Sequence, residues 1–459
     1  MENTETPTTD PGVGTRAASK TPSLKHRVIR GSLWAFIGDG VGQVMRLCGN
    51  LIMTRLLFPE AFGLMALVNV FLQGLAMFSD LGIGPSIIQN PRGEEPRFLR
   101  TAWTAFVGRG LVLWVCAALL AWPLSRFYEE PHLKLLLPVG AFSIVISGFA
   151  STKVAVLTRR LHISKLTLFN LSSQAVGLIT MILLALHWRS VWALVIGTHV
   201  GVTFKTVMSH LLFGPPRMRF QFDREVAREL FHFGKWLFLA SILAFIVGRV
   251  DRLVLGKFMT MAQLGVYSIA FMFSQAMVEA VTRLSRRVLF PVYARTAEQS
   301  MATLRSHTFR IRRALMAVTL PPLWVLIVIG PEMIHLIYDE RYHEAGWMLQ
   351  ILGVAGVCAT ILNPVDSVLL AVGNTFRHML LQLARSAILV VAMVVGGWYY
   401  GTTGVMFGFV AASILYYPFL AALIRRYKVW LPLLDLAGLA ASGVAVGLGL
   451  WIKAHWFMS

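Results

Sequence analysis

Apolar residues recur along the chain in long, nearly uncharged runs. Thirteen of these reach the roughly 20 residues a helix needs to cross about 30 Å of hydrocarbon. They fall at about 31–53, 61–85, 101–122, 135–157, 166–187, 190–212, 233–255, 263–285, 312–331, 346–370, 380–399, 403–424 and 431–452. The runs are too long and too uniformly apolar for alternating barrel strands, so each predicts a helix. Pro215-Pro216 closes the sixth run. The charged stretch that follows, with Phe220, Phe222 and Phe231, predicts a helix lying along the membrane surface.

Shifted against itself by 202 positions, the chain superposes its first two runs on the seventh and eighth without a gap. Trp34 meets Trp236, Phe36 meets Phe238, Arg55 meets Lys257, Gly63 meets Gly265, Phe71 meets Phe273 and Gln73 meets Gln275. Six runs separate the copies, an even number, so both halves enter the membrane in the same direction. The pattern therefore predicts an all-α polytopic membrane protein with about 12–14 transmembrane helices, two six-helix bundles in parallel repeat. Its expected parts are a disordered basic tail (1–30), an N-terminal lobe (31–212), a linker (213–232), a C-terminal lobe (233–424) and an extra helix with the C-terminus (425–459).

Composition excludes a soluble globular chain: hydrophobic residues are 56% and charged residues 14% of the 459. The net charge of +20 raises nucleic acid as a partner, but the distribution of the cations argues otherwise. Roughly thirty of the 42 Lys and Arg fall in the tail and the even-numbered connections, against about nine in the odd-numbered ones. That asymmetry places the N-terminus in the cytoplasm, and no nucleic-acid role is expected. Cys48, Cys116 and Cys358 sit inside apolar runs without metal spacing, so neither a disulfide framework nor a metal or cofactor is expected. The first run starts after a basic stretch and reads as a retained anchor, with no cleavable signal peptide.

Charges inside the runs carry the candidate chemistry. Asp39, Gln43, Arg46 and Asn50 fall at i, i+4, i+7 and i+11, one stripe of a helix flanked by Gly42 and Gly49. A charge at a helix centre costs about 2.5–3.5 kcal/mol on insertion scales, so this stripe faces a bundle interior or a wet cavity. Lys205, Arg249, Asp251 and Arg252 add to it from later runs, as does Asp366 after Asn363-Pro364, where proline opens the helix. Cations prevail, which suits an anionic substrate, because arginine grips phosphate oxygens bidentately. Arg249, Asp251 and Arg252 fit a second reading, ion pairs near the interface with the arginines snorkelling to water. Arg109 and Glu279 read as structural or interfacial, and Arg283 is a further charge beside Glu279. The pairs Trp398-Tyr399-Tyr400 and Tyr416-Tyr417 lie at run ends, where aromatic belts are expected.

The first hairpin, "TRLLFPEAFGLMALVNVFLQGLAMFSDLGIGPSIIQ", resembles that of the Wzx-type oligosaccharide flippases, the polysaccharide exporters of the multidrug/oligosaccharidyl-lipid/polysaccharide superfamily. The resemblance rests on Arg55, on Pro59-Glu60-Ala61-Phe62-Gly63, on Asp80-Leu81-Gly82 and on Ile88-Gln89, with "RRLHISKL" at 159–166 similar to the family's basic motif. It runs through roughly residues 28–425. The likeness implies a two-lobed flippase fold in a bacterial inner membrane. Such a protein moves undecaprenyl-pyrophosphate-type lipid-linked oligosaccharide outward by alternating access, for O-antigen, capsule or exopolysaccharide. Membrane lipids, a polysaccharide polymerase and a co-polymerase are the further partners it implies. Cavity arginines of similar flippases meet the pyrophosphate, which nominates Arg46, Lys205, Arg249 and Arg252 by position. Asp39, Asp251 and Asp366 are candidates for ion coupling. Family members often have twelve or fourteen spans, against thirteen here, which leaves open whether 431–452 crosses.

Two other readings compete. A multidrug/cation antiporter of the same architecture needs a site dominated by carboxylates, whereas basic groups prevail here. A membrane polysaccharide polymerase or glycosyltransferase needs a sizeable extramembrane region with catalytic acids. The "RFYEEPHLK" and "YDERYHEAG" connections are too short to build one, so a transporter and not an enzyme is expected.

Overall fold

The computed structural model describes residues 24–79, 82–212, 218–277, 301–362, 369, 374–425 and 430–456. Among them there is no strand, and each of the thirteen apolar runs is helical over most of its described residues, with breaks after Phe78 in 61–85 and between Gly148 and Lys153 in 135–157. In the first half these are α1 (Leu24–Leu56), α2 (Pro59–Phe78), α3 (Ile83–Gln89), α4 (Pro96–Phe127), α5 (Leu133–Gly148), α6 (Lys153–Arg159), α7 (Ile163–Trp188) and α8 (Trp192–Leu211). The second half holds α9 (Arg224–Phe258), α10 (described over 261–277), α11 (Met301–Ile337) and α12 (Ala345–Leu362). The helical stretch Thr375–Arg425 breaks at Gly401, whose φ of 56° only glycine adopts without strain, giving α13 (375–400) and α14 (402–425). The last helix is α15 (Pro432–Trp456).

Seven of the helical stretches, or eight counting α5 and α6 as one span bent by 63°, are long and apolar enough to cross a membrane on length and composition alone. Outside that set, α1 carries Asp39 and Arg46, α8 carries Lys205, and α9 carries the Arg249–Arg252 cluster near its end. Burial of those groups against protein, not lipid, is the physical condition for such helices to span.

The two halves are joined where the α1–α2 and α9–α10 turns lie, hereafter the turn end. There α2 crosses α10 so closely that a Cβ on Gly63 would overlap the Met261 carbonyl oxygen, and one on Gly265 would overlap that of Pro59. Met261 and Gly265 are the 202-shifted mates of Pro59 and Gly63, so an approximate two-fold axis passes through this crossing. The same symmetry recurs in two edge-to-face pairs, Phe71–Tyr128 at 5.8 Å and Phe273–Tyr338 at 6.2 Å, whose phenylalanines are mates. Around them one apolar core mixes residues of both halves, including Met53, Leu57, Leu67, Leu255, Ile269 and Tyr342. Toward the opposite end the core divides. One part belongs wholly to the second half, and the other joins the first half to the first turns of α9.

Helix α9 is one continuous element of 35 residues. The charged surface helix expected after Pro215-Pro216 is its first turns, so the sequence boundary at 232/233 falls inside a helix. Asp223 caps it, accepting from the Glu225 and Val226 amides at 2.9 and 3.2 Å. Helix α15 runs alongside α11 in the same direction. Asp435 near its start pairs with Arg312, and Lys453 near its end pairs with Glu332 and donates to the Val328 carbonyl at 3.4 Å. It therefore keeps beside α11 from the level of Arg312 to that of Glu332.

Candidate functional site

Helix α1 has two faces with different tasks. Gly31, Gly38, Gly42 and Gly49 turn toward α7, where Ile163, Thr167, Leu171 and Leu178 fill the space a side chain would take. Gln174 of α7 fastens this seam by donating to the Gly42 carbonyl at 2.9 Å. The glycines beside the polar stripe thus serve close helix approach and not a ligand.

The stripe occupies the neighbouring face. Arg46 is exposed, and its Nη2 and Nε donate to Gln43 Oε1 at 2.6 and 3.2 Å. Asp39, two turns away, is exposed as well and forms no ion pair among the described residues. Gln43, one turn from Arg46, orients the guanidinium through its Nε and Nη2 edge. At the other end of the stripe Asn50 donates to Met272 Sδ of α10 at 3.4 Å, and its Oδ1 is buried without a hydrogen-bond partner. The stripe therefore begins at the seam between the halves and runs from Asn50 toward the end where the core divides, with its charges uncovered.

The second half approaches the same seam. The Arg252 guanidinium lies over the Phe271 ring at 4.6 Å. Arg252 is the mate of Asn50, so these two residues meet α10 at adjacent positions, 271 and 272. Asp251 is buried beside the Tyr267 ring, which is itself enclosed. Arg249 lies one turn earlier and is half-buried. The buried acid and stacked arginine form a packed polar patch against α10.

Other sequence candidates fall elsewhere. Lys205 on α8 is half-buried with its Nζ 5.8 Å from the Phe169 ring, on the flank of α7 opposite the one that packs on α1. Helix α7 thus stands between Lys205 and Arg46. Arg109 closes the end of α2, donating to Ser79 Oγ at 2.9 Å and to the Ala76 carbonyl at 2.6 Å, a structural role. Asp366, Glu279, Arg283, Asp80 and Leu81 lie outside the described residues.

A polar network that sequence reasoning missed joins α11, α12, α14 and α15. Arg312 is fully buried, pairs with Asp435 and donates to the Ile361 carbonyl at 2.6 Å. The Tyr417 hydroxyl donates to Asp435 Oδ2 at 3.0 Å and accepts from Trp430 Nε1 at 3.2 Å. Tyr416 is buried beneath Arg385, 6.0 Å from its ring. Tyr416 and Tyr417 therefore do not belong to an aromatic belt, whereas Trp398, Tyr399 and Tyr400 are each more than three-quarters exposed, as a belt requires. Arg312 opens an apolar run and Arg385 sits inside one; an inventory of charges by helix face would have found both.

Known proteins share this architecture. A lipopolysaccharide biosynthesis protein, WzxC of Escherichia coli K12, is 24% identical over 89% of this chain and 85% of its own length. A succinoglycan biosynthesis transport protein, ExoT of Rhizobium meliloti, is 24% identical over 69% of this chain and 63% of its own. Among solved structures, the lipid II flippase MurJ in an inward closed conformation superposes with a TM-score of 0.68 at 14% identity, covering 92% of each chain. An inward-facing multidrug resistance MATE family transporter does so with 0.59 at 13%, covering 89% of this chain and 95% of its own. These structural likenesses establish the fold, all-α and two-lobed. The polysaccharide biosynthesis protein family matches residues 52–346, well over half of the chain, and the chain belongs to that family.

Proposed function

We propose that this protein is a transporter that flips polyprenyl-pyrophosphate-linked oligosaccharide across the bacterial inner membrane, with its N-terminus in the cytoplasm. The observation that carries the reading is Arg46: a guanidinium oriented by Gln43 on an exposed helix face that runs away from the seam between two halves. A cation in that position suits an anion that enters the cleft, and pyrophosphate offers oxygens for a bidentate grip. Membership of the polysaccharide biosynthesis family supports the saccharide part of the cargo. The name of the MurJ relative in fold, a lipid II flippase, supports the lipid-linked part.

In this reading Arg46, Gln43, Asn50 and Asp39 line the first-half wall of the cleft, while Arg249 and Arg252 act from the second half. Lys205 enters only if substrate extends past α7. The N-terminal lobe (31–212) and C-terminal lobe (233–424) rock about the turn-end joint, exposing the cleft to one side and then the other. Asp251, buried beside Tyr267, is the better placed of the two described candidates for ion coupling, because the exposed Asp39 is free to stay hydrated. Polysaccharide polymerase and co-polymerase remain the expected assembly partners. The likeness to a multidrug transporter fold keeps cation antiport as the second reading, and the exposed guanidinium at the seam argues against it.

The test is leaflet-resolved measurement of lipid-linked oligosaccharide in cells lacking the protein. Intermediates should accumulate on the cytoplasmic face, wild type should clear them, and Arg46→Ala, inserted at normal levels, should not. Normal appearance of the intermediate in the outer leaflet without the protein would end the flippase reading. Drug resistance conferred on a sensitive host would replace it with antiport.

A further inference from the structure

The chain from 218 into α9 sorts its charges by side. Its acids turn toward the first half: Glu225 and Glu229 hold Arg92, and Asp223 pairs with Arg97. Val226 and Leu230 pack into a core with Ile83, Ile87, Phe98 and Leu99. The cations turn the other way. Arg219, Arg224 and Arg228 are exposed and make no ion pair among the described residues. Beside them Phe220, Phe222 and Phe231 are 68%, 71% and 64% exposed. Arg224, Arg228 and Phe231 follow one another at i, i+4 and i+7, so the outward face of α9's first turns is both basic and aromatic.

The level of this face is fixed by α4. The Gln221 amide donates to Thr104 Oγ1 at 3.1 Å, and the Thr104 hydroxyl donates back to the Gln221 carbonyl at 3.0 Å. Arg100 Nη1 donates to Gln221 Oε1 at 3.4 Å, and the Phe220 ring lies 4.9 Å from that of Trp103. Thr104 is two turns into α4, about 12 Å along its axis from the start. Extended backbone at that depth is tolerated because Thr104 satisfies both of its polar groups. The segment therefore sits where the apolar layer gives way to headgroups, with phenyl rings and guanidiniums side by side.

We propose that residues 219–231 form a docking site for anionic phospholipid. Arg219, Arg224 and Arg228 take the headgroup phosphates, while Phe220, Phe222 and Phe231 enter the acyl boundary. The match is one of charge and level together: unpaired guanidiniums at the headgroup layer, on a face whose neighbouring acids, the exposed Glu225 among them, are already neutralised by Arg92 and Arg97. Because α9 continues from this segment to the seam at Arg252, a lipid held here fixes the near end of the element that links the two halves. The site goes beyond the transport reading and does not depend on it.

The test uses the purified full chain, titrated in detergent with phosphatidylglycerol or phosphatidylcholine and followed by native mass spectrometry. Wild type should bind phosphatidylglycerol more tightly. The variant Arg219→Gln/Arg224→Gln/Arg228→Gln should lose that preference, by about fivefold in affinity for each arginine removed, with phosphatidylcholine binding unchanged. These side chains are exposed and unpaired, so folding should be spared; the single variant Arg228→Gln provides the same test should the triple variant be unstable. Phe220→Ser/Phe222→Ser/Phe231→Ser should weaken both lipids alike. Equal binding of the two lipids by wild type, or an unchanged preference in the arginine variants, overturns the proposal. So does displacement by soluble glycerol phosphate as effective as by the lipid, which would make the site one for a free anion.

Discussion

Gly63 and Gly265, 202 positions apart, face each other across the α2–α10 crossing with no room for a Cβ on either. Each would collide with the carbonyl oxygen four residues before the other, so the crossing is built from two copies of the same contact. Because the obstacle is backbone, it cannot swing aside as a side chain would. Gly63→Ala and Gly265→Ala should each destabilise the protein by about 1–3 kcal/mol, the range for overpacking. Since either substitution pushes the same two helices apart, the double variant should cost much less than the sum. Thermal unfolding of the three variants in detergent is the check, and strict additivity would show that the two glycines act independently.

The buried pair Arg312–Asp435 gives a different signature. Arg312 is fully enclosed, and its Nε and Nη1 have no hydrogen-bond partner, so its charge rests on Asp435 and the Ile361 carbonyl. Removing only the acid leaves that charge stranded. Asp435→Ala should cost about 3–5 kcal/mol and loosen α15, whereas Arg312→Met/Asp435→Leu should recover most of the loss. Limited proteolysis near 430 together with thermal unfolding would show it. A double variant no better than Asp435→Ala would mean that the pair is favourable in its own right.

At the seam, Gln43 is expected to matter through Arg46. Its Oε1 takes two donors of the guanidinium, and replacing it with methionine keeps volume while releasing them. Transport by Gln43→Met should fall partially, with little change in stability because Arg46 is already exposed. Arg46→Lys, which keeps charge but loses the planar fork, should retain less activity than Gln43→Met. Rates of lipid-linked oligosaccharide translocation in reconstituted vesicles would rank the three proteins. Activity of Arg46→Lys equal to wild type would reduce the role of Arg46 to bulk charge.

Much of this architecture was legible in the sequence for physical reasons that apply only in lipid. Apolar runs have to be helices where water is absent, so the described residues of the thirteen windows are mostly helical, and the shift of 202 reappears as the Gly63–Gly265 crossing. The polar stripe of α1 was legible by its helical spacing. What the sequence concealed were choices between partners. Glycines at 42 and 49 offer space equally to a ligand or a helix, and only the fold shows α7 filling it. Lys205 and Arg46 are both charges inside spans, and nothing local reveals that α7 stands between them. Arg312 lies at the start of an apolar run, where it reads as a loop charge; its burial depends on α15, more than a hundred residues later.

The pair Lys257–Glu129 ties the halves at the turn end and sets a pH-dependent expectation. Lys257, the mate of Arg55, donates to Glu129 Oε1 at 2.8 Å and to the Phe127 carbonyl at 2.9 Å. Beside it the Tyr128 hydroxyl donates to the Leu253 carbonyl at 3.2 Å, and across the axis Tyr342 does the same to Leu57 at 3.2 Å. Glu129 holds a left-handed backbone, φ 56°, to aim its carboxylate at the lysine. The hydrogen bond and charge of Lys257 keep that carboxyl below its ordinary range. A lowered acid pKa means that the contact is fully present above the ordinary glutamate value of about 4.3 and is lost as pH falls through and below it. The Lys257–Glu129 contact should therefore hold from neutral to mildly acidic pH and be lost only in stronger acid, a small local loosening because both side chains are exposed. Glu129→Gln should remove that pH dependence while sparing the two tyrosine contacts. Distances between spin labels on α4 and α9, followed from pH 7 to pH 3 in both proteins, would decide it. A wild-type opening already complete at about pH 6 would assign the closure to some group other than Glu129.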